Sequence, residues 1–366
     1  MLYFLFGTIS ILYIIIIVAA IIGWKKQSTH SHSHTQPFMS VIVAARNEED
    51  TINDLHHKLT QQTYNTALFE VIFVNDHSTD NTYNILEKNC KQYNHFHVFD
   101  APHTHHGKKQ AIQYGIQKSK GTYLLFTDAD CLPTNKWIET FASYCNSNQS
   151  QLLFGSVNHK AEQTCVESFF SLDFLAMVGT QGGLAKINHP YSCNAANMCI
   201  SLDLAKSNTQ SHYASGDDVF LLHSAKSNTH TEIKFIEDSH CMVTTKPPKT
   251  VSAFLQQRIR WAGKSTGYKD IDTIVISNII YLENASLFWS GILSIFYIQF
   301  APIFLLLFTL KALIDLVFFV HILPYFKKNH LLLLSIPFQL FYFIYITLIP
   351  IFVIISPLKW KGRKIT

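Results

Sequence analysis

Tyr123–Asp130 reads YLLFTDAD, a short apolar run that stops on two carboxylates one residue apart. Tyr123–Thr127 (YLLFT) has the composition of a buried strand, and Asp128-Ala129-Asp130 marks where it ends. Two comparable runs lie upstream. Met39–Ala45 (MSVIVAA) ends at the polar turn Arg46-Asn47-Glu48-Glu49, and Phe69–Val74 (FEVIFV) ends at Asn75-Asp76-His77-Ser78-Thr79-Asp80. Helical spacing follows the first run at Ile52, Leu55 and Leu59. Asp80 is placed to cap a second helix, and a third opens at Gly107-Lys108-Lys109. Strands and helices alternating at this interval predict an α/β domain on a largely parallel sheet. Ligands bind such sheets at the carboxyl ends of strands. Three strands here end in acids and amides, so a site is expected there.

Around this domain the composition changes. Of the 366 residues, 2–22 and 285–356 are nearly all apolar, while charges and histidines crowd between them. Leu2–Ile22 carries no charge and is long enough to cross a bilayer, which takes about 20 residues. No basic residue precedes it and Lys25-Lys26 follows, a poor cleavage site, so the reading is a retained anchor. The positive-inside bias puts the N-terminus outside and the following domain in the cytoplasm. In the C-terminal block, Leu287–Phe308 reads as one span and Ala312–Phe326 as a shorter one holding Asp315. Leu331–Ile355 reads as a third, with Pro337 and Pro350 inside it. Three full crossings would leave Lys359, Lys361, Arg363 and Lys364 outside, against the charge bias, so re-entrant or interfacial placement of one of the last two stretches stays open. The expected layout is a transmembrane anchor at 1–23, a linker at 24–37, the α/β domain at 38–270, membrane segments at 285–356 and a basic tail at 357–366.

The net charge of +4 comes without a Lys/Arg run on one face or helix, and no nucleic-acid partner is expected. Seven cysteines, odd in number and free of CxxC spacing, read as reduced and buried rather than as a disulfide or zinc framework. His30, His32 and His34 sit in a Ser/Thr-rich tether. His103, His105 and His106 lie in a loop before Gly107, and neither group is taken as a metal site.

Three clusters could carry chemistry. Asp128 and Asp130 can share a hard divalent cation whose other ligands are diphosphate oxygens and water. They also suit a plain turn in which Asp130 caps a helix from about Pro133. Asp217-Asp218, after Gly216, offers a carboxylate to deprotonate an attacking hydroxyl, or simply favours a helix N-terminus. Gln257-Arg258-Ile259-Arg260-Trp261 lies on a predicted helix over Val251–Gly263. Its cations and indole suit a diphosphate and a sugar face, or the headgroup region of a membrane.

In this order the clusters resemble the family 2 glycosyltransferases with a GT-A (Rossmann-like) fold. Within them they resemble the membrane-integrated branch that includes cellulose, chitin and hyaluronan synthases and ceramide glucosyltransferase. The resemblance runs from about Ser40 to Gly263. It implies that Ala44-Ala45-Arg46-Asn47-Glu48 is the first-strand nucleotide motif, with Ala44 where proline is usual, so Ala45, Asn47 and Glu48 would bind donor. Asn75-Asp76 stands for an Asp-Asp pair, leaving Asp76 as the base contact and weakening the case for uracil. Gly107-Lys108 would lie beside the donor, with Lys108 on it. Asp128 and Asp130 match the DxD metal motif, and Asp128 also faces the donor. Asp217-Asp218 replaces Glu-Asp, making Asp218 the expected base. Gln257, Arg260 and Trp261 match QxxRW, and Tyr191–Ile200 (YSCNAANMCI) falls at an acceptor-side loop, with Ala195 and Ala196 where glycine is common.

The resemblance thus implies an inverting transferase dependent on Mg²⁺ or Mn²⁺. It would move sugar from a nucleotide sugar, UDP-sugars first among them, to a lipid or membrane-associated glycan. The expected place is a bacterial inner membrane, in contact with its lipids. Two alternatives remain: a processive polysaccharide synthase, for which four spans at most are few, and a catalytically silent nucleotide-sugar-binding subunit.

Overall fold

The computed structural model describes residues 2–26, 36–104, 107–145, 150–207, 217–228 and 230–355, with short strands at 359–360 and 363–364. The chain forms two compact units. One comprises Met1–Gln27, Ala161–Tyr191 and Pro247–Lys359; the other comprises Ser28–Lys160, Ser192–Lys246 and Trp360–Thr366.

In chain order, helix α1 (Leu2–Lys25) precedes β1 (Met39–Ala45), α2 (Ile52–Thr60), β2 (Phe69–Asn75), α3 (Thr82–Cys90), β3 (Phe96–Asp100) and α4 (Lys108–Lys118). Next come β4 (Tyr123–Phe126), β5 (Leu132–Pro133), α5 (Trp137–Tyr144), β6 (Ser150–Gly155), β7 (Val157–His159) and α6 (Cys165–Lys186). They are followed by β8 (Met198–Ser201), α7 (Leu202–Ser207), α8 (Asp217–Ser227), β9 (Thr231–Ile236) and β10 (Val243–Thr245). The remaining helices are α9 (Val251–Ala262), α10 (Ile271–Phe296), α11 (Ala301–Phe326) and α12 (Ser335–Ile355).

The second unit is a seven-stranded sheet ordered β3-β2-β1-β4-β8-β6-β9. Every residue of β2 is buried, as expected of a strand covered on both faces. Ile52, Leu55 and Leu59 of α2 are fully buried, which fulfils the helical spacing. The parallel expectation holds for β1 to β4. Beyond them β8 runs antiparallel to both β4 and β6, so the sheet is mixed. A small sheet, β5-β10-β7, takes the chain immediately after Asp130. Leu132–Pro133 therefore forms a strand, not a helix start. The next helix opens at Trp137 after Lys136, so Asp130 caps no helix.

The first unit is helical. Four stretches are long and apolar enough to cross a membrane: Leu2–Lys25, Ile271–Phe296, Ile298–Phe326 and Asn329–Ile355. Large apolar side chains stay exposed on them, as at Phe4 (82 %), Ile298 (83 %) and Ile354 (84 %), which suits a lipid surround. The expected span at Leu287–Phe308 is broken at Tyr297–Phe300. Pro302 in the first turn of α11 has no N–H to give and its ring blocks a preceding helical turn. The block thus divides into three full-length helices rather than one long and two uncertain ones. Within the helical unit α6 packs with α1, α11 and α12, and α9 with α12. A helix like α6, buried nearly all round, has no polar face to give solvent. Trp24 continues α1 instead of opening a linker, and its Nε1 donates to the Gly179 carbonyl (2.6 Å). Backbones nearly touch at the α1–α6 crossing: a Cβ on Gly183 would lie 2.3 Å from the Ala20 oxygen.

All seven cysteines are free and all but Cys165 are buried, in line with the sequence.

Candidate active site

Register builds this site. Ala45 pairs with Asn75 and Asn75 with Asp100, while Phe126 of β4 pairs with Ile42. The loops after β1, β2 and β4 therefore leave one edge of the sheet together. The first two are cross-linked by polar atoms. Arg46 donates to the carbonyls of Asp76 (2.7 Å) and His77 (3.0 Å), and the Thr79 amide donates to Asn47 Oδ1 (2.8 Å). The Asn47 amide donates to Ser78 Oγ (3.1 Å) and the Glu48 amide to Thr82 Oγ1 (2.7 Å). Asn47 (φ 51°) and His77 (φ 52°) both hold left-handed backbone, a conformation that costs energy outside glycine and persists where the surroundings impose it. Gly107, at φ 98°, enters α4 in a region that L side chains rarely adopt. The N-cap of α3 is Asn81 and not the expected Asp80, which accepts from the Thr82 amide (3.0 Å) and hydroxyl (2.6 Å) from one position ahead.

Charge collects where these loops meet. Lys108 Nζ donates to Asp128 Oδ1 at 2.5 Å, with both side chains about one-third exposed. Desolvation at the strand end, then the charges of Asp128 and Glu48, raise the Asp130 carboxyl above its ordinary range, with Lys108 opposing them. Asp128, Asp130 and Cys131 bring possible ligand atoms within 4.8 Å of one another. Burial, then Asp130 and Asp128, push the Cys131 thiol well above its usual range. It stays protonated and donates to Asp130 Oδ1 (3.7 Å), so the ligand set on offer is carboxylate oxygen. That donor chemistry fits a hard divalent cation and not a soft thiolate metal.

The other expected residues fall in differing surroundings. Ala45 is buried, and its carbonyl accepts from the Asp76 amide (2.8 Å). Asp76 is only 1 % exposed and its Oδ1 accepts from the Gly107 amide (3.2 Å), so it also holds the start of α4. Asn75 Nδ2 donates to Asp100 Oδ1 (2.6 Å), where a carboxylate at position 75 would meet another carboxylate. His103 stacks on His77 (5.8 Å between ring centres). Asp218 lies in the first turn of α8, and its Oδ2 accepts from the Ala195 amide (3.5 Å). The Cys193 thiol donates to the Asp218 carbonyl (3.4 Å). Since Met198 pairs with Phe126, the loop leading into Met198 and Asp218 reach the same sheet edge as Asp128–Asp130. The Asp217 side chain, His30, His32, His34, His105 and His106 lie outside the described residues. Gln257, Arg260 and Trp261 are on α9, in the helical unit.

Two buried residues, Asn197 and Trp137, had no sequence signal. Asn197 accepts from Trp137 Nε1 (2.8 Å) and donates to the carbonyls of Ser156 and Cys241 (2.8 Å each). Its partners come from three separate stretches, which no local pattern reveals, yet it anchors the loop that carries Ala195.

Residues 40–166 match the family model "Glycosyl transferase family 2". Glycosyltransferase AglE of Haloferax volcanii is 32 % identical over 123 residues, 34 % of this chain and 40 % of that protein. A beta-monoglucosyldiacylglycerol synthase of Nostoc sp. is 34 % identical over 95 residues, 26 % of this chain and 20 % of that protein. These alignments thus span two-fifths or less of the curated relatives. The fold is shared more widely. The mannosyltransferase PcManGT from Pyrobaculum calidifontis, solved with GDP-Man and Mn²⁺, superposes with a TM-score of 0.61 at 16 % identity, covering 97 % of this chain and 99 % of that one. Residues 40–166 thus match glycosyl transferase family 2, and the chain has the GT-A fold with helices long and apolar enough to cross a membrane.

Proposed function

We propose that the protein is an inverting, metal-dependent glycosyltransferase that passes a sugar from a nucleotide sugar to a lipid or membrane-associated glycan. The observation that carries this reading is the cluster of Lys108, Asp128 and Asp130 at the strand ends, with Glu48 near enough to act on Asp130. Asp128 and Asp130 would hold Mg²⁺ or Mn²⁺, which when bound neutralises the donor diphosphate and makes it a better leaving group. Lys108 would turn from Asp128 toward the diphosphate. The Asn47–Glu48 and Asp76–His77 turns would cradle the nucleoside, with Ala45 as floor. Because Asp76 is buried, its contact with the base would be made from beneath.

Asp218 would take the proton of the acceptor hydroxyl as that oxygen attacks the anomeric carbon. The bond from that carbon to the diphosphate oxygen breaks, and nucleoside diphosphate leaves with the electron pair. Asp217 would supply further negative charge beside Asp218. Gln257, Arg260 and Trp261, on α9 of the helical unit, are proposed as donor-binding residues from the QxxRW match alone. A lipid acceptor is supported by the four apolar helices and by the relative whose name specifies a glucosyldiacylglycerol product.

Four crossings would put Lys25-Lys26 and Lys327-Lys328 on the cytoplasmic side and the uncharged Tyr297–Phe300 turn outside, both in keeping with the charge bias. The basic residues from Lys359 onward would then be the exception to it. A bacterial inner membrane is the setting proposed, and Phe38 to about Asp270 the catalytic region.

The test is nucleoside diphosphate release by detergent-purified protein across UDP-, GDP- and dTDP-sugars with Mg²⁺ or Mn²⁺ and membrane lipids. Release from one donor, abolished in Asp218→Asn with donor binding retained, is the expected result. Full turnover in Asp218→Asn would overturn the base assignment, and no release from any donor would overturn the transferase reading.

A further inference from the structure

The helix bearing Gln257, Arg260 and Trp261 is held by a residue at a variable position inside that motif. Arg258 is 8 % exposed, and each arm of its guanidinium is engaged. Nε donates to Asp173 Oδ2 (2.6 Å), as does one terminal nitrogen, while the other donates to Gln257 Oε1 (3.0 Å). Aromatic rings pack on the guanidinium, with its carbon 4.6 Å from the centre of the Phe254 ring and 4.4 Å from that of Trp261. Asp173, on α6, accepts from the Tyr345 hydroxyl of α12 with its remaining oxygen. Phe254 in turn stacks on Phe170 (4.3 Å, 9°).

We infer that Asp173, acting through Arg258 and steadied by Tyr345, is a positioning residue for the α9 motif. Its effect on Gln257 follows from donor inventory. Arg258 has only donors, so the Gln257 atom that it meets must be the amide oxygen, and the amide's N–H groups remain for a ligand. Gln257 is thereby set to donate to phosphate or sugar oxygens and not to accept from hydroxyls. Trp261 is fixed in the same way. The guanidinium packs on its ring and Phe174 lies 6.3 Å away, so the indole keeps one orientation. A planar fork that stacks while all its arms donate is a task lysine cannot perform. Anchorage in Tyr345 ties this geometry to an apolar helix, so α9 is aimed by α6 and α12 rather than by its own turns.

The inference rests on the reading of α9 as part of the substrate site, and the experiment separates the two. Steady-state kcat and KM for donor turnover are measured on purified Arg258→Lys, Tyr345→Phe and Asp173→Asn, alongside Gln257→Ala and Trp261→Ala. Size-exclusion profile and thermal midpoint in the same detergent report folding. Arg258→Lys keeps the charge toward Asp173, so a purely structural pair would retain wild-type kinetics. A positioning role predicts a drop in kcat/KM of about 10- to 100-fold in folded protein. It also predicts little further loss when Gln257→Ala is added, because the two act as one unit. Tyr345→Phe removes one hydroxyl only and is the variant that decides if Asp173→Asn does not fold. Wild-type kcat and KM in both Arg258→Lys and Tyr345→Phe, with Trp261→Ala impaired, would overturn the positioning role. Unimpaired Gln257→Ala and Trp261→Ala would instead remove α9 from the substrate site, and this inference with it.

Discussion

The strand ends of the sheet unit and the interior of the helical unit both hold acids and lysines, but on opposite terms. At the strand ends Lys108 and Asp128 are about one-third exposed, and the Asp130 side chain beside them is exposed. Between the apolar helices, Lys311 (2 % exposed) donates to Asp315 Oδ2 (2.5 Å) and Gln339 Oε1 (2.8 Å), while Tyr13 and Gln339 donate to Asp315 (2.6 and 2.9 Å). Glu162 likewise takes both its oxygens to Lys328 (2.8 and 2.9 Å). A closed, buried set leaves nothing for a ligand and serves to hold helices in one arrangement. An open set is stable because water or a counter-charge can reach it. Access, more than the presence of ionisable residues, separates chemistry from architecture here.

The contrast is broken most sharply by matched substitutions. Asp130→Asn should cut donor turnover by roughly 10³-fold while leaving the thermal midpoint in detergent unchanged. Asp315→Ala should do the reverse, leaving Lys311 as a buried unpaired charge at a cost of about 3–5 kcal/mol, with specific activity of the surviving folded protein kept. Removing both charges together, Lys311→Met with Asp315→Leu, should recover most of that stability. If Asp315→Ala silences a well-folded enzyme, the buried set is not architectural.

A smaller loss, about 1–3 kcal/mol or more, is expected of Gly183→Val, whose side chain meets backbone at the α1–α6 crossing. Folded yield and thermal midpoint would report it, and an unchanged midpoint would mean that the helices can separate there without penalty. The pH dependence sharpens the other side of the comparison. With its pKa raised, Asp130 keeps its proton to higher pH than an ordinary carboxyl, so Mn²⁺ affinity should fall on acidification from a correspondingly higher pH. Lys108→Gln removes a group that lowers this pKa and should move the fall higher still, as Mn²⁺ titrations at several pH values would show. The smallest effect belongs to His330→Ala. That ring, 61 % exposed, reaches Glu162 only at the rim (3.4 Å), and stability should change by less than about 0.5 kcal/mol.

Much of the sheet unit was legible in the residues because its signals are local. MSVIVAA, FEVIFV and YLLFT each became a strand, Gly107-Lys108 opened α4, and the acids fell at the strand ends where ligands meet such sheets. Apolar length marked one stretch at the N-terminus and three at the C-terminus, with the placement of the last two left open, and hydropathy could not see Pro302 end one helix and begin the next.

What sequence determined, then, was element type, the edge of the sheet that carries the acids, and the presence of membrane-length helices, all of which follow from side-chain periodicity and short-range chemistry. Tertiary structure alone decided that β8 runs backwards beside β4, that α6 and α9 join the helical unit, that Asp76 is buried, and that Asp173 reaches Arg258 across 85 positions. These depend on which distant segments share an interface. Burial and pairing there belong to the partner as much as to the residue, so no pattern read along one stretch contains them.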